Sequence, residues 1–138
     1  MIAPRLLMCD DEAAIGAFVR HIAEELGYSM HFTTDAEDFG SLYRQVDPQV
    51  VILDLVMPGT DGIELLRFLA KQRSRARILL MSGFDPRIRD AARLLGEAHS
   101  LDMAGVVAKP VRAAELRRLL AGLGSGLGGG LDGGPDGG

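Results

Sequence analysis

Four short apolar runs, each ending on a polar residue, constrain the fold more than any other feature of this chain. Leu6-Leu7-Met8-Cys9 runs into Asp10-Asp11, and Val50-Val51-Ile52-Leu53 into Asp54. Ile78-Leu79-Leu80-Met81 runs into Ser82, and Val106-Val107-Ala108 into Lys109. Continuous apolar runs of this length read as strands of a parallel sheet covered on both faces. Helical patterns fill the intervals. Ile15, Phe18, Val19, Ile22, Ala23 and Leu26 recur at i, i+3, i+4, i+7, and Gly27 fits the stop. A weaker strand at His31-Phe32-Thr33 precedes a helix from Ala36 to Arg44 that must end before Pro48. Asp61 can cap a helix with Glu64 at its third position and Ile63, Leu66 and Ala70 inward. Asp85 followed by Pro86 is a cap and a first-turn proline. Arg112 to Leu123 carries Leu116, Leu119, Leu120 and Leu123 on one face. The expected fold is α/β: a single (βα)₅ doubly wound parallel sheet of flavodoxin-like order 2-1-3-4-5. That order brings the ends of the first and third strands together at the switch point, where open α/β sheets hold their ligands.

The chain has 138 residues, enough for one domain with a real core. Ten of its 18 glycines fall between Gly122 and Gly138. The expected division is therefore a folded body over residues 1–121 and a Gly-rich flexible tail or linker over 122–138. A net charge of −4 disfavours nonspecific DNA binding, so no direct nucleic acid partner is expected. Cys9 is the one cysteine and fits a reducing compartment. No stretch approaches the roughly 20 apolar residues of a membrane span, and no signal peptide is plausible. The expected location is cytoplasmic, away from membranes. His21, His31 and His99 lack ligand spacing.

Three acids, a hydroxyl and an ammonium delivered to one sheet edge suit Mg²⁺-assisted phosphoryl transfer onto an aspartate. Each has a plainer reading. Asp10 and Asp11 could cap the first helix, Ser82 could be a turn residue, and Lys109 a solvated lysine. A haloacid-dehalogenase-type phosphohydrolase also uses a strand-end aspartate, but needs a general acid two residues on, where Val56 stands. A flavin- or nucleotide-binding domain would have to bring phosphate against Cys9-Asp10-Asp11-Glu12, which would repel it.

Taken together, Asp10-Asp11-Glu12, Asp54-Leu-Val-Met57-Pro58-Gly-Thr-Asp61-Gly62-Ile-Glu64-Leu, Ser82-Gly83 and Lys109-Pro110 resemble the receiver domain of two-component response regulators. The resemblance covers the whole body. It implies that Asp54 is the phosphoacceptor, assisted by Lys109 and Ser82. It implies a Mg²⁺ ion held by Asp11, Asp54 and the carbonyl of Val56, with Asp10 acting through metal-bound water. It implies a cis peptide at Lys109-Pro110. The partner is then a sensor histidine kinase or phosphotransfer protein. The chain is a signalling switch rather than an enzyme, catalysing only its own phosphorylation and dephosphorylation.

Departures matter. Val106 stands where most receivers carry a Tyr or Phe that swings inward on activation, so the usual readout must be altered. Val56 and Phe84 are apolar where receivers place groups that align the hydrolytic water, which predicts slow self-dephosphorylation. The segment from Ser82 to Lys109 is about one helical turn longer than usual. That length and the Ser-Gly-Phe-Asp loop look like receivers joined to cyclic-di-GMP phosphodiesterase domains, so an output domain or an effector of that type is a possible partner. The alternative is a degenerate receiver acting as an unphosphorylated interaction module.

Overall fold

The computed structural model describes residues 2–55, 57, 62–83 and 86–130, the last six as backbone only. Its five strands are β1 (Arg5–Cys9), β2 (Ser29–Thr33), β3 (Val50–Asp54), β4 (Arg77–Ser82) and β5 (Asp102–Ala108). They alternate with α1 (Ala13–Glu25), α2 (Ala36–Val46), α3 (Gly62–Lys71), α4 (Pro86–Ala98) and α5 (Ala113–Gly130). All strand pairs are parallel, in the order β2-β1-β3-β4-β5. The expected topology is the observed one.

Alternation along the strands builds two apolar layers. Leu6, Met8, Val50, Ile52, Leu79 and Met81 face the side covered by α1 and α5, meeting Val19, Ile22, Leu116 and Leu120. Leu7, Cys9, Val51, Leu53, Ile78 and Leu80 face the side covered by α2, α3 and α4, meeting Phe39, Leu66, Leu69 and Ala92. Because both faces of the central strands are covered, every residue of β3 is buried, Asp54 included. That is why the strand reads as an unbroken apolar run.

Several details differ from the expectation. Phe18 is 36 % exposed, and Gly16 takes a buried place on the inner face of α1. A side chain at position 16 would meet the Phe32 ring, so α1 lies close on β2 there. The inner face of α3 is centred on Leu65, Leu66 and Leu69, with Ile63 and Ala70 at its margins. β5 begins at Asp102, earlier than the apolar run suggested, and its pairing with β4 shifts between Ile78 and Leu79. α5 continues past position 122 to Gly130. Gly27 ends α1 with φ 93, a left-handed turn that favours glycine. Asp61 and Asp85, expected as helix caps, lie outside the described residues, as do Val56, Phe84 and 131–138. Among the described residues no helix is long and apolar enough to cross a membrane.

Candidate functional site

The strand register sets the site. Cys9 pairs with Leu53, and Asp54 with Met81, so β1, β3 and β4 end at one level. Two backbone bonds extend this alignment past the strands. Leu55 N–H donates to the Met81 carbonyl at 2.9 Å, and Lys109 N–H donates to the Ser82 carbonyl at 2.8 Å. Gly62 closes the far side. A Cβ there would lie 2.6 Å from the Asp54 carbonyl oxygen and 2.7 Å from Leu55 Cα. Only glycine lets the start of α3 pack directly on the end of β3.

Lys109 gathers the acids. Its Nζ lies 3.0 Å from Asp54 Oδ2, 3.3 Å from Asp10 Oδ2 and 3.5 Å from Glu12 Oε1. The peptide Lys109-Pro110 is cis. Asp54 and Asp10 are buried, Glu12 is open to solvent, and the lysine side chain is one-fifth exposed. Burial alone would lower the lysine pKa, but its hydrogen bond to Asp54 and the charges of Asp10 and Asp54 raise it. The ammonium is thus locked in its charged form.

Asp10 is under more strain. Its Oδ1 accepts from the Glu12 backbone N–H at 2.9 Å, a tight turn leading into α1. Its Oδ2 is buried with no hydrogen-bond partner. The Lys109 contact at 3.3 Å is therefore an ion pair without hydrogen-bond alignment. Burial, helped by the charge of Asp54, pushes the Asp10 pKa up to about 6 against the opposing pull of the Glu12 N–H and Lys109. Neither Asp10 nor Asp11 caps α1. The N-cap position is Glu12, and no side chain caps it. Carboxylate oxygens of Asp10, Asp11 and Glu12 lie within 4.8 Å of one another. An all-oxygen donor set that includes a buried, unbonded carboxylate oxygen suits a hard divalent cation.

The structure therefore brings Asp10, Asp54 and Lys109 into direct contact, with Asp11 beside Asp10. Ser82 sits at the same edge, buried, with its Oγ donating to the Gly83 carbonyl at 3.5 Å. Cys9 lies beneath, its Sγ 3.9 Å from Met57 Sδ, its pKa pushed up to about 12 by burial and the charge of Asp10. That makes it an unreactive core thiol. Reasoning from sequence missed the part played by Glu12 and Gly62. Glu12 follows the acidic pair directly, and Gly62 follows Asp61 at a helix start; these were the available signals.

The profile of the family described as "Response regulator receiver domain" matches residues 6–121. The chain belongs to that family. It is 30 % identical over 121 residues to the transcriptional regulatory protein GlnL of Bacillus subtilis, covering 84 % of this chain and 36 % of that protein. The receiver thus spans about a third of the length of this curated relative. Among solved structures it is similar to the receiver domain of Francisella response regulator 1452, with TM-score 0.73, 25 % identity, and coverage of 87 % and 95 % of the two chains. It is also similar to a response regulator from Colwellia psychrerythraea, with TM-score 0.75, 26 % identity, and coverage of 88 % and 96 %. The Vibrio cholerae chemotaxis response regulator CheY4, at TM-score 0.72 and 21 % identity over 88 % and 98 %, shares the fold. The protein is a receiver domain of a two-component response regulator, a family of signalling switches.

Proposed function

We propose that this receiver accepts a phosphoryl group on Asp54 from a histidine kinase or phosphotransfer protein in the cytoplasm. The observation that carries the reading is the Lys109 ammonium held at once on Asp54 and Asp10. An Asp54 carboxylate oxygen attacks phosphorus, the bond from phosphorus to the donor breaks, and the donor leaves with the electron pair. Asp54 thereby becomes an acyl phosphate. Lys109 lies within 3.0 Å of the attacking group and moves with little displacement onto a phosphoryl oxygen. Ser82, whose present bond to Gly83 is long, turns its hydroxyl onto another. Asp11, Asp54 and the Val56 carbonyl would hold Mg²⁺, with Asp10 reaching it through water, and the ion would supply positive charge to offset that of the approaching phosphate. Val56 lies outside the described residues, so its part rests on the sequence alone. With Val56 and Phe84 both apolar, the phosphorylated form is long-lived.

The domain is residues 1–121, and 122–138 link it onward or trail from it. Output passes to an appended domain or to a separate effector. Val106 packs at the edge of the apolar layer facing α4, and no ring at that position reports the change. The report travels instead through the backbone of the loop that begins at Ser82-Gly83.

The test is incubation with acetyl phosphate and Mg²⁺ followed by intact mass. One phosphate adduct is expected in the wild type and none in Asp54→Ala. Absence of an adduct together with absence of Mg²⁺ binding would favour an unphosphorylated interaction module.

A further inference from the structure

We propose that the groove between the C-terminal ends of α3 and α4 is a docking site for an acidic segment of a partner protein, one that sets an apolar side chain on the floor and carboxylates on the rim.

The sequence supplies the charge. From Leu65 to Phe84 the chain has no acid and carries Arg67, Lys71, Arg73, Arg75 and Arg77, although the whole chain has a net charge of −4. The fold turns that bias into a surface. Between α3 and α4 lies a groove of about 320 Å³ lined by Arg67, Ala70, Lys71, Leu95 and His99. Ala70 and Leu95 are half-buried and form an apolar floor, while Arg67, Lys71 and His99 stand exposed on the rim. Beyond Lys71 the chain turns. Ser74 N–H donates to the Leu69 carbonyl at 3.1 Å, and the buried Ser74 hydroxyl accepts from Ala76 N–H at 3.2 Å. Arg73 and Arg75 are left exposed on either side of it.

Little inside the molecule answers these charges. Arg67 lies 4.0 Å from Glu64 in an exposed pair, and Arg77 is taken by Asp102 at 3.3 Å. Lys71, Arg73, Arg75 and His99 make no ion pair among the described residues. Glu97, near the end of α4, lines the other flank of that helix with Arg93, Met103, Gly105 and Val106. A helix dipole accounts for Lys71 at the end of α3. It does not account for Arg73, which holds φ 53. Glycine or asparagine serves better in that left-handed conformation, so an arginine there gives up backbone stability that no ion pair of its own returns.

Charge and shape together select the occupant. Cations beside a low-dielectric floor attract carboxylates, and the floor rewards an apolar side chain. A nucleic acid would need rings on which its bases stack, and among the described residues no aromatic side chain lines this groove. The groove lies toward the start of β4 at Arg77, whereas Ser82 at the end of β4 belongs to the edge that holds Asp54. Docking there is therefore separate from the phosphoryl chemistry.

The test is a ¹⁵N NMR titration of the 138-residue chain with the synthetic peptide acetyl-Glu-Leu-Glu-Glu-Leu-Glu-amide. Shifts are expected to concentrate on residues 67–75 and 95–100, and to weaken as KCl rises from about 0.05 to 0.5 M. Lys71→Glu with Arg73→Glu should bind about tenfold more weakly, while Arg112→Glu with Arg118→Glu on α5, and Asp54→Asn, should stay within about twofold of the wild type. Thermal melts confirm that each variant is folded. Two further peptides need no change to the protein: glutamine in place of glutamate, and serine in place of leucine, should each bind more weakly. Either of them binding as well as the parent peptide overturns the proposal, as do shifts centred elsewhere or spread over the surface. No shift at about 1 mM peptide overturns it as well. Decauridylate binding the same residues more tightly than the peptide would make the groove a nucleic-acid surface instead.

Discussion

At the scale of single residues, Asp10 shows how the site trades stability for chemistry. Its carboxyl binds a proton more readily in the folded protein, with a pKa near 6, than in the unfolded chain, where it is near 4. Its favourable contribution is therefore fully present below about pH 4 and is lost as pH rises through about 6. At neutral pH, without divalent ions, the buried charge is a burden. Asp10→Asn keeps an acceptor for the Glu12 N–H and removes that charge. It should stabilise the protein by about 1–3 kcal/mol at pH 7.5 in EDTA, the gain fading toward pH 4. Urea unfolding at the two pH values checks this. A less stable variant at pH 7.5 would mean that the ion pair with Lys109 outweighs the cost of burial. Asp10, Asp54 and Lys109 were legible from sequence because each follows or closes an apolar run, whereas Glu12 does not. Their pairing was not: which acid lies deepest, and which one the lysine holds, depends on the turn at Asp10-Asp11-Glu12. That turn has no periodic signal.

At the scale of elements, the sheet and its helices were legible wherever a run was apolar and unbroken. β5 was not, because Asp102-Met103-Ala104-Gly105 offers neither alternation nor a continuous run, and its pairing with β4 slips at that point. Nor was the length of α5, since glycine disfavours helix and the chain beyond Leu120 is rich in it. The contact between α3 and β3 is the joint on which Asp54 depends. Gly62→Ala would drive a Cβ into the Asp54 carbonyl, a backbone atom with nowhere to move. The expected cost is about 1–3 kcal/mol, with a slower rate of labelling by acetyl phosphate as the strand end shifts. Gly122→Ala is the control. A Cβ at that position meets nothing within 4 Å, and the backbone there is helical. It should be neutral or stabilise by up to about 1 kcal/mol. Thermal melts of the two variants decide both points. A Gly62→Ala protein as stable as the wild type would show that α3 is free to shift outward.

At the scale of the whole molecule, the C-terminal edge of the sheet gathers buried charge, whereas the ion pairs Arg5–Asp47 and Arg77–Asp102 at the other edge are largely open to solvent. The two apolar layers extend under every central strand, and the acids meet at the rim of the sheet around the Lys109 ammonium. Their mutual repulsion works against the folded state, because only folding brings the β1 and β3 ends together. A divalent cation that binds the assembled edge and not the unfolded chain must therefore stabilise the whole fold by mass action. At 100 times its dissociation constant the gain is about 2.7 kcal/mol. For a chain of this size that corresponds to a rise in Tm of roughly 8 °C. Calorimetric melts over a Mg²⁺ series at pH 7.5 should show Tm climbing with the logarithm of concentration once binding saturates. At pH 5 the climb should be smaller, because a proton on Asp10 then competes with the ion. A Tm indifferent to Mg²⁺ at pH 7.5 would mean that the acids are already neutralised by Lys109 and that the edge holds no divalent ion.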